Sequence, residues 1–168
     1  MENGIVEQTI LQTLQMLKEG EPRDKILLCL IRTAETIAGN NSVSSILVLD
    51  QNGLLRNASS PGLPYDYLMA IDGLKPDANV GTCAAAAATG SMIFTHDFQA
   101  DNKWAELRHL PLALGFLGAW SMPIKHEDGR VLGTFGTYFR EKRQPSQEEI
   151  NGIRSLSIAA AKVLYRDN

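Results

Sequence analysis

The chain has 168 residues, 44% of them apolar and 21% charged, with 14 Gly and 7 Pro, a profile that fits one compact folded domain and excludes a disordered, fibrous or multidomain chain. A chain of this length buries roughly 68–70% of the surface its unfolded form exposes, so stability requires no disulfide or metal. Lys and Arg number 16 against 19 Asp and Glu, for a net charge of −3, and the longest basic cluster, Arg140-Glu141-Lys142-Arg143, is interrupted by an acid; nucleic acid and anionic membrane surfaces are therefore not expected partners.

Val6, Ile10, Leu14 and Leu17 recur at helical spacing and predict a first helix ending near Gly20. Pro22, tolerated in a first turn, opens a second, which Ile26, Leu30, Ala34 and Ile37 carry to Gly39-Asn40-Asn41. Leu27, Leu28, Cys29 and Ile31 widen its apolar surface, so the helix is expected to be largely buried with Cys29 in the core. Residues 45–49 then read as a buried strand, Asp50-Gln51-Asn52-Gly53 as a turn and Leu54-Leu55 as the start of the returning strand. A loop with a short helix over residues 65–71 follows. Thr82 predicts an N-cap for a helix of Cys83 and five alanines, with Gly90 just past its end. Beyond it come a short strand over 92–95, a helix over 103–114 and a hairpin of strands 116–124 and 131–139. Ser146 and Glu149 then form a capping box for the closing helix. Strands and helices do not alternate strictly, which predicts an α+β fold with an antiparallel sheet.

The N-terminus lacks a basic-then-apolar layout and no apolar run approaches the roughly 18–20 residues of a membrane span, so a cytoplasmic location is expected. Cys29 and Cys83 form no CxxC pair and read as reduced thiols. At the start of its helix, Cys83 has three readings: a thiolate favoured by the dipole, part of an oxyanion site, or a small residue packed in the core. His96, His109 and His126 are too scattered for a metal pattern. Trp104 and Trp120 flank the irregular middle and either wall a pocket or pack the core. Alternation puts Trp120, Met122 and Ile124 on one strand face and Ala119, Ser121 and Pro123 on the other, without saying which meets the helices. Pro123 predicts an edge position or a nearby bulge. Asp97 and Asp101 read as loop braces, and the glycines of residues 129–136 do not form a dinucleotide fingerprint.

Val80-Gly81-Thr82-Cys83, the loop Asp97-Phe98-Gln99-Ala100-Asp101-Asn102-Lys103-Trp104, the strand Trp120-Ser121-Met122-Pro123-Ile124, the strand Gly129-Arg130-Val131-Leu132-Gly133-Thr134-Phe135, and Pro145-Ser146-Gln147-Glu148-Glu149 together resemble the bacterial GAF domain found with sensor kinases and cyclic-dinucleotide signalling enzymes. Ala84, Phe98 and Asn102 depart from that pattern, which has Gly, Ile and Pro there. The resemblance implies a sheet of about six strands across residues 1–168, terminal helices on one face, and a small-molecule pocket roofed by the middle of the chain on the other. The candidate ligand-binding residues are Thr82, Cys83, Phe94, Asp97, Trp104, Trp120 and Ser121, and no cofactor or catalytic residue is named. Cys83 lacks the following His of bilin-binding members, and no cyclic-nucleotide pattern is present. The expected function is a non-enzymatic sensor of a small organic ligand. It would relay occupancy through its terminal helices to a kinase or cyclic-dinucleotide output domain, with residues 1–20 as a dimerisation or linker helix in a homodimer. A ligand-free dimerisation module is the alternative, and a free methionine-R-sulfoxide reductase, which needs two cysteines close together, is the third reading.

Overall fold

The computed structural model describes residues 2–39 and 41–167; Met1, Asn168 and Asn40, part of the predicted stop of the second helix, lie outside them. Two helices, α1 (Glu2–Lys18) and α2 (Arg23–Ala38), precede the hairpin β1 (Val43–Leu49) and β2 (Leu55–Ser59). The middle contributes α3 (Tyr65–Ile71), α4 (Cys83–Thr89), β3 (Ile93–Thr95), a 3-10 turn (Asn102–Trp104) and α5 (His109–Ala113). The hairpin β4 (Gly118–Lys125) and β5 (Val131–Phe139) and the helix α6 (Gln147–Arg166) complete the chain. The five strands form one antiparallel sheet in the order β2-β1-β5-β4-β3.

Register settles the parity that alternation left open. The row Ser44, Thr137, Trp120 and Phe94 faces α1, α2 and α6, as do Ile46, Phe135 and Met122. The neighbouring rows, Val43-Tyr138-Ala119-Thr95 and Ser45-Gly136-Ser121-Ile93, face the roof built by the middle segment. One layer of sheet thus separates two apolar cores. Pro123 lies past the end of β3, which pairs only with residues 119–121, and a register shift follows it at Ile124 and Lys125. Its missing N–H therefore faces no partner strand on that side.

Helix starts and stops follow local chemistry. Ser146 accepts from the Glu149 amide at 3.2 Å while the Glu149 carboxylate accepts from the Ser146 amide at 3.1 Å, the reciprocal box that opens α6. Arg143 secures that end: it donates to Glu149 at 2.7 and 3.1 Å and to the Ala38 carbonyl at 3.0 Å, and its guanidinium lies 3.9 Å from the centre of the Phe139 ring. The helix expected over residues 103–114 is instead broken into the 3-10 turn and α5. A continuous helix would set Pro111 in its interior against the Leu107 carbonyl; starting afresh at His109 places it in a first turn, where no N–H is required.

The stripe predicted for α1 is rotated. Val6, Thr9, Thr13 and Met16 form its buried seam against α2 and α6, while Ile10, Leu14 and Leu17 are half-buried beside it. The threonines enter the seam with their hydroxyls satisfied, Thr9 by Thr33 at 2.6 Å and Thr13 by the Ile10 carbonyl at 2.9 Å. The apolar face expected to pair with a second copy is thus partly covered within the chain, and Leu11 is the large apolar side chain α1 leaves most exposed, at 71%.

Candidate functional site

On the roof side of the sheet, α4 lies on β3, β4 and β5 through its alanines; Ala84, Ala85 and Ala86 are fully covered, and their small side chains let the helix approach the strands closely. Gly81, at φ +59°, turns the chain into this helix and donates to the Lys103 carbonyl at 2.8 Å. Between α4 and the sheet is a cavity of about 20 Å³, lined by α3 and its following turn (Tyr67, Ile71, Leu74), by Thr82 to Ala84, by Trp104 and Leu107, and by β1, β4 and β5. That volume accommodates about one water molecule. The hollow expected above the sheet exists, but it is nearly closed.

Thr82 stands at the predicted N-cap position, yet its side chain caps nothing. Its hydroxyl instead accepts from Trp104 Nε1 at 2.9 Å and bonds Thr95 Oγ1 at 3.0 Å. Thr95 in turn donates to Asp101 at 3.0 Å, and Asp101 accepts from the Lys103 ammonium at 2.8 Å. The result is a continuous latch from the cavity wall to an ion pair at the surface. Burial raises the Asp101 pKa, but the bonds from Lys103 and Thr95 outweigh it and hold the carboxyl below its ordinary value.

Cys83 points down from the first turn of α4 into the sheet. Ser121 Oγ donates to its sulfur at 3.4 Å, and a methyl group added to Gly136 would meet that sulfur at 3.0 Å. Burial pushes the thiol above its usual pKa, against the opposing bond from Ser121, which removes the thiolate reading. Among the expected site residues, Thr82, Cys83, Trp104 and Ser121 therefore come together. Phe94 and Trp120 do not: Trp120 borders the cavity by its place in β4, but alternation aims its indole into the helix-side core, where it stacks on Phe94 at 5.9 Å. Asp97 accepts from the Gln99 amide at 3.0 Å and pairs with Lys142 at 3.6 Å on the outer loop, so it braces that loop away from the cavity.

The residues that sequence reasoning missed are Tyr67 and Tyr138. Their hydroxyls share a hydrogen bond of 2.8 Å and their rings meet edge-on at 5.8 Å. Burial drives both phenols well above their usual pKa, so both are protonated across the physiological range. The available signal was register: Tyr138 follows Gly136 by two positions on β5 and shares its face.

The architecture is that of an α+β domain in which one antiparallel sheet carries terminal helices on one face and a roofed cavity on the other. The family model described as the GAF domain matches residues 21–164, and the chain belongs to that family. The match begins just beyond α1. The methyl sulfide methyltransferase-associated sensor of Methanosarcina acetivorans is 31% identical over 149 residues, which is 89% of this chain but 15% of that protein's length. The GAF domain of a phosphoenolpyruvate-protein phosphotransferase from Coxiella burnetii superposes with a TM-score of 0.75 at 16% identity, over 96% of this chain and 93% of that one. The free methionine-R-sulfoxide reductase of Neisseria meningitidis superposes at 0.69 with 15% identity, over 98% of this chain and 89% of that one, a likeness of fold alone. No helix among the described residues is long and apolar enough to cross a membrane.

Proposed function

We propose that this chain is a non-enzymatic sensory domain of a cytoplasmic signalling protein, in which the cavity beneath α4 is a ligand chamber in its closed state. The single observation that carries this reading is the division of labour within β4 and β5. Ala119, Gly136 and Tyr138 floor the chamber, while the intervening Trp120, Phe135 and Thr137 form the ceiling over which α6 packs. Opening the chamber therefore pushes on the helix side through one thickness of sheet. A ligand biases that equilibrium only through its differential affinity for the open form. The sensor name of the Methanosarcina relative supports the role, and the proposed partner is a kinase or cyclic-dinucleotide output domain. A reductase role is disfavoured because the two cysteines lie on opposite sides of the sheet: Cys83 under α4, Cys29 on α2 with its sulfur 3.8 Å from Met16 Sδ.

A cavity of about 20 Å³ is also what a packing module without ligand would show, so that is the second reading. Denaturing the purified protein and analysing released small molecules by mass spectrometry, alongside a thermal-shift panel of metabolites, separates the two. A released compound that raises the melting temperature on return supports the sensor. No compound and no shift across the panel supports the module.

A further inference from the structure

Fifteen residues line the cavity and none is Asp, Glu, Lys, Arg or His. Its polar groups are largely committed to one another: Thr82 to Trp104 and Thr95, Cys83 to Ser121, and Tyr67 to Tyr138. The ion pair of Asp101 and Lys103 belongs to a separate cleft lined by Phe94, His96 and the loop behind Trp104. We infer that the chamber selects an uncharged, mainly apolar molecule carrying a hydrogen-bond acceptor for the phenol pair Tyr67–Tyr138. This inference rests on the chamber reading above.

The exclusion of charge follows from desolvation. An ion brought into this space would leave water and meet no counter-charge among the lining residues, and burial of an unpaired ion is strongly unfavourable. The acceptor follows from counting protons on the tyrosine pair. Two hydroxyls share one hydrogen bond, and among the described residues no acceptor takes the second phenolic proton. That proton is a donor the chamber can offer without breaking an existing side-chain bond. The raised pKa of both phenols keeps it in place.

Three probes of similar size test the inference: acetophenone (neutral, one acceptor), toluene (neutral, none) and benzoate (anionic). Each needs the roof to lift, and that requirement lowers all three apparent affinities by a similar factor, so it largely cancels from their ratios. The protein supplies its own locator, because Trp104 lines the chamber and the Trp120 indole lies on the other side of the sheet. In 15N-edited spectra, acetophenone should move the Trp104 indole resonance more than that of Trp120, which lies one sheet thickness away. It should bind at least tenfold more tightly than benzoate and several-fold more tightly than toluene, and the double variant Tyr67→Phe/Tyr138→Phe, which removes both hydroxyls, should erase its lead over toluene. Benzoate binding at Trp104 within tenfold of acetophenone overturns the ligand class while leaving the chamber reading intact. Equal binding of toluene and acetophenone to the unmodified protein overturns the acceptor claim, whether or not the variant folds. No response of Trp104 to any probe overturns both the inference and the chamber reading.

Discussion

Gly136→Ala probes the floor of the chamber. The added methyl would lie 3.0 Å from Cys83 Sγ, with the Trp120 and Ser45 carbonyls at ordinary contact distances of 3.8 and 3.9 Å, so the sulfur and the first turn of α4 must yield by a few tenths of an ångström. Overpacking of this kind costs about 1–3 kcal/mol. Replacing a strand glycine recovers up to about 1 kcal/mol of chain entropy. The expected outcome is a net loss of about 1 kcal/mol, read as a lower urea midpoint at unchanged slope. In a Cys83→Ala background the sulfur is gone, the recovered entropy stands alone, and the same substitution should become neutral or stabilising. The cycle should therefore show a coupling of about 1–3 kcal/mol between the two positions. Effects that add to within about 0.5 kcal/mol would refute the claim that Cys83 rests on Gly136.

Thr82→Val should destabilise by about 1–3 kcal/mol, because it leaves the Trp104 indole N–H buried without an acceptor; Thr82→Ser, which keeps the hydroxyl, should recover most of that in the same melts. The carboxyl of Asp101 is held below its unfolded value of ~4, so its contribution is present above about pH 4 and lost as pH falls through the lower folded value. An acid titration followed on the Trp104 indole resonance should show that loss, and Asp101→Asn should flatten it. The two buried phenols are raised above their unfolded value of ~10, so the stability they confer is complete below about pH 10 and declines above it, which denaturant midpoints across that range would register. If α1 joins two copies through Leu11, Leu11→Glu should lower the mass measured by light scattering; a monomeric parent protein would sink the dimer.

Where local chemistry decides structure, the sequence was readable. The α6 capping box, the left-handed Gly90 after the alanine helix and the strand alternation around Trp120 all stand as residue type and spacing indicate. Which face Trp120 presented was not readable, because alternation fixes opposition between neighbours and not the direction of the core; that needed the positions of the terminal helices. The α1 seam eluded pattern reading for a related reason: Thr9 and Thr13 count as polar until the partners Thr33 and the Ile10 carbonyl are known. Of the site, Thr82, Cys83, Trp104 and Ser121 were within reach through motif resemblance. Tyr67 was not, since it joins Tyr138 across 71 positions of sequence and neither residue has a local signature.

The clasp formed by Arg143 gives α6 one fixed end. A single guanidinium grips the first turn of that helix, the last carbonyl of α2 and the ring closing β5, while the far end is held by the buried Val163 and Leu164 and by the bond from Arg166 to the Glu21 carbonyl. Were α6 to tilt about its Ser146 end, its 20 residues would make a lever of about 30 Å. A rotation of about 5° would swing the Arg166 tip by roughly 2.6 Å, so a small displacement near the pivot would reach the end of the chain magnified.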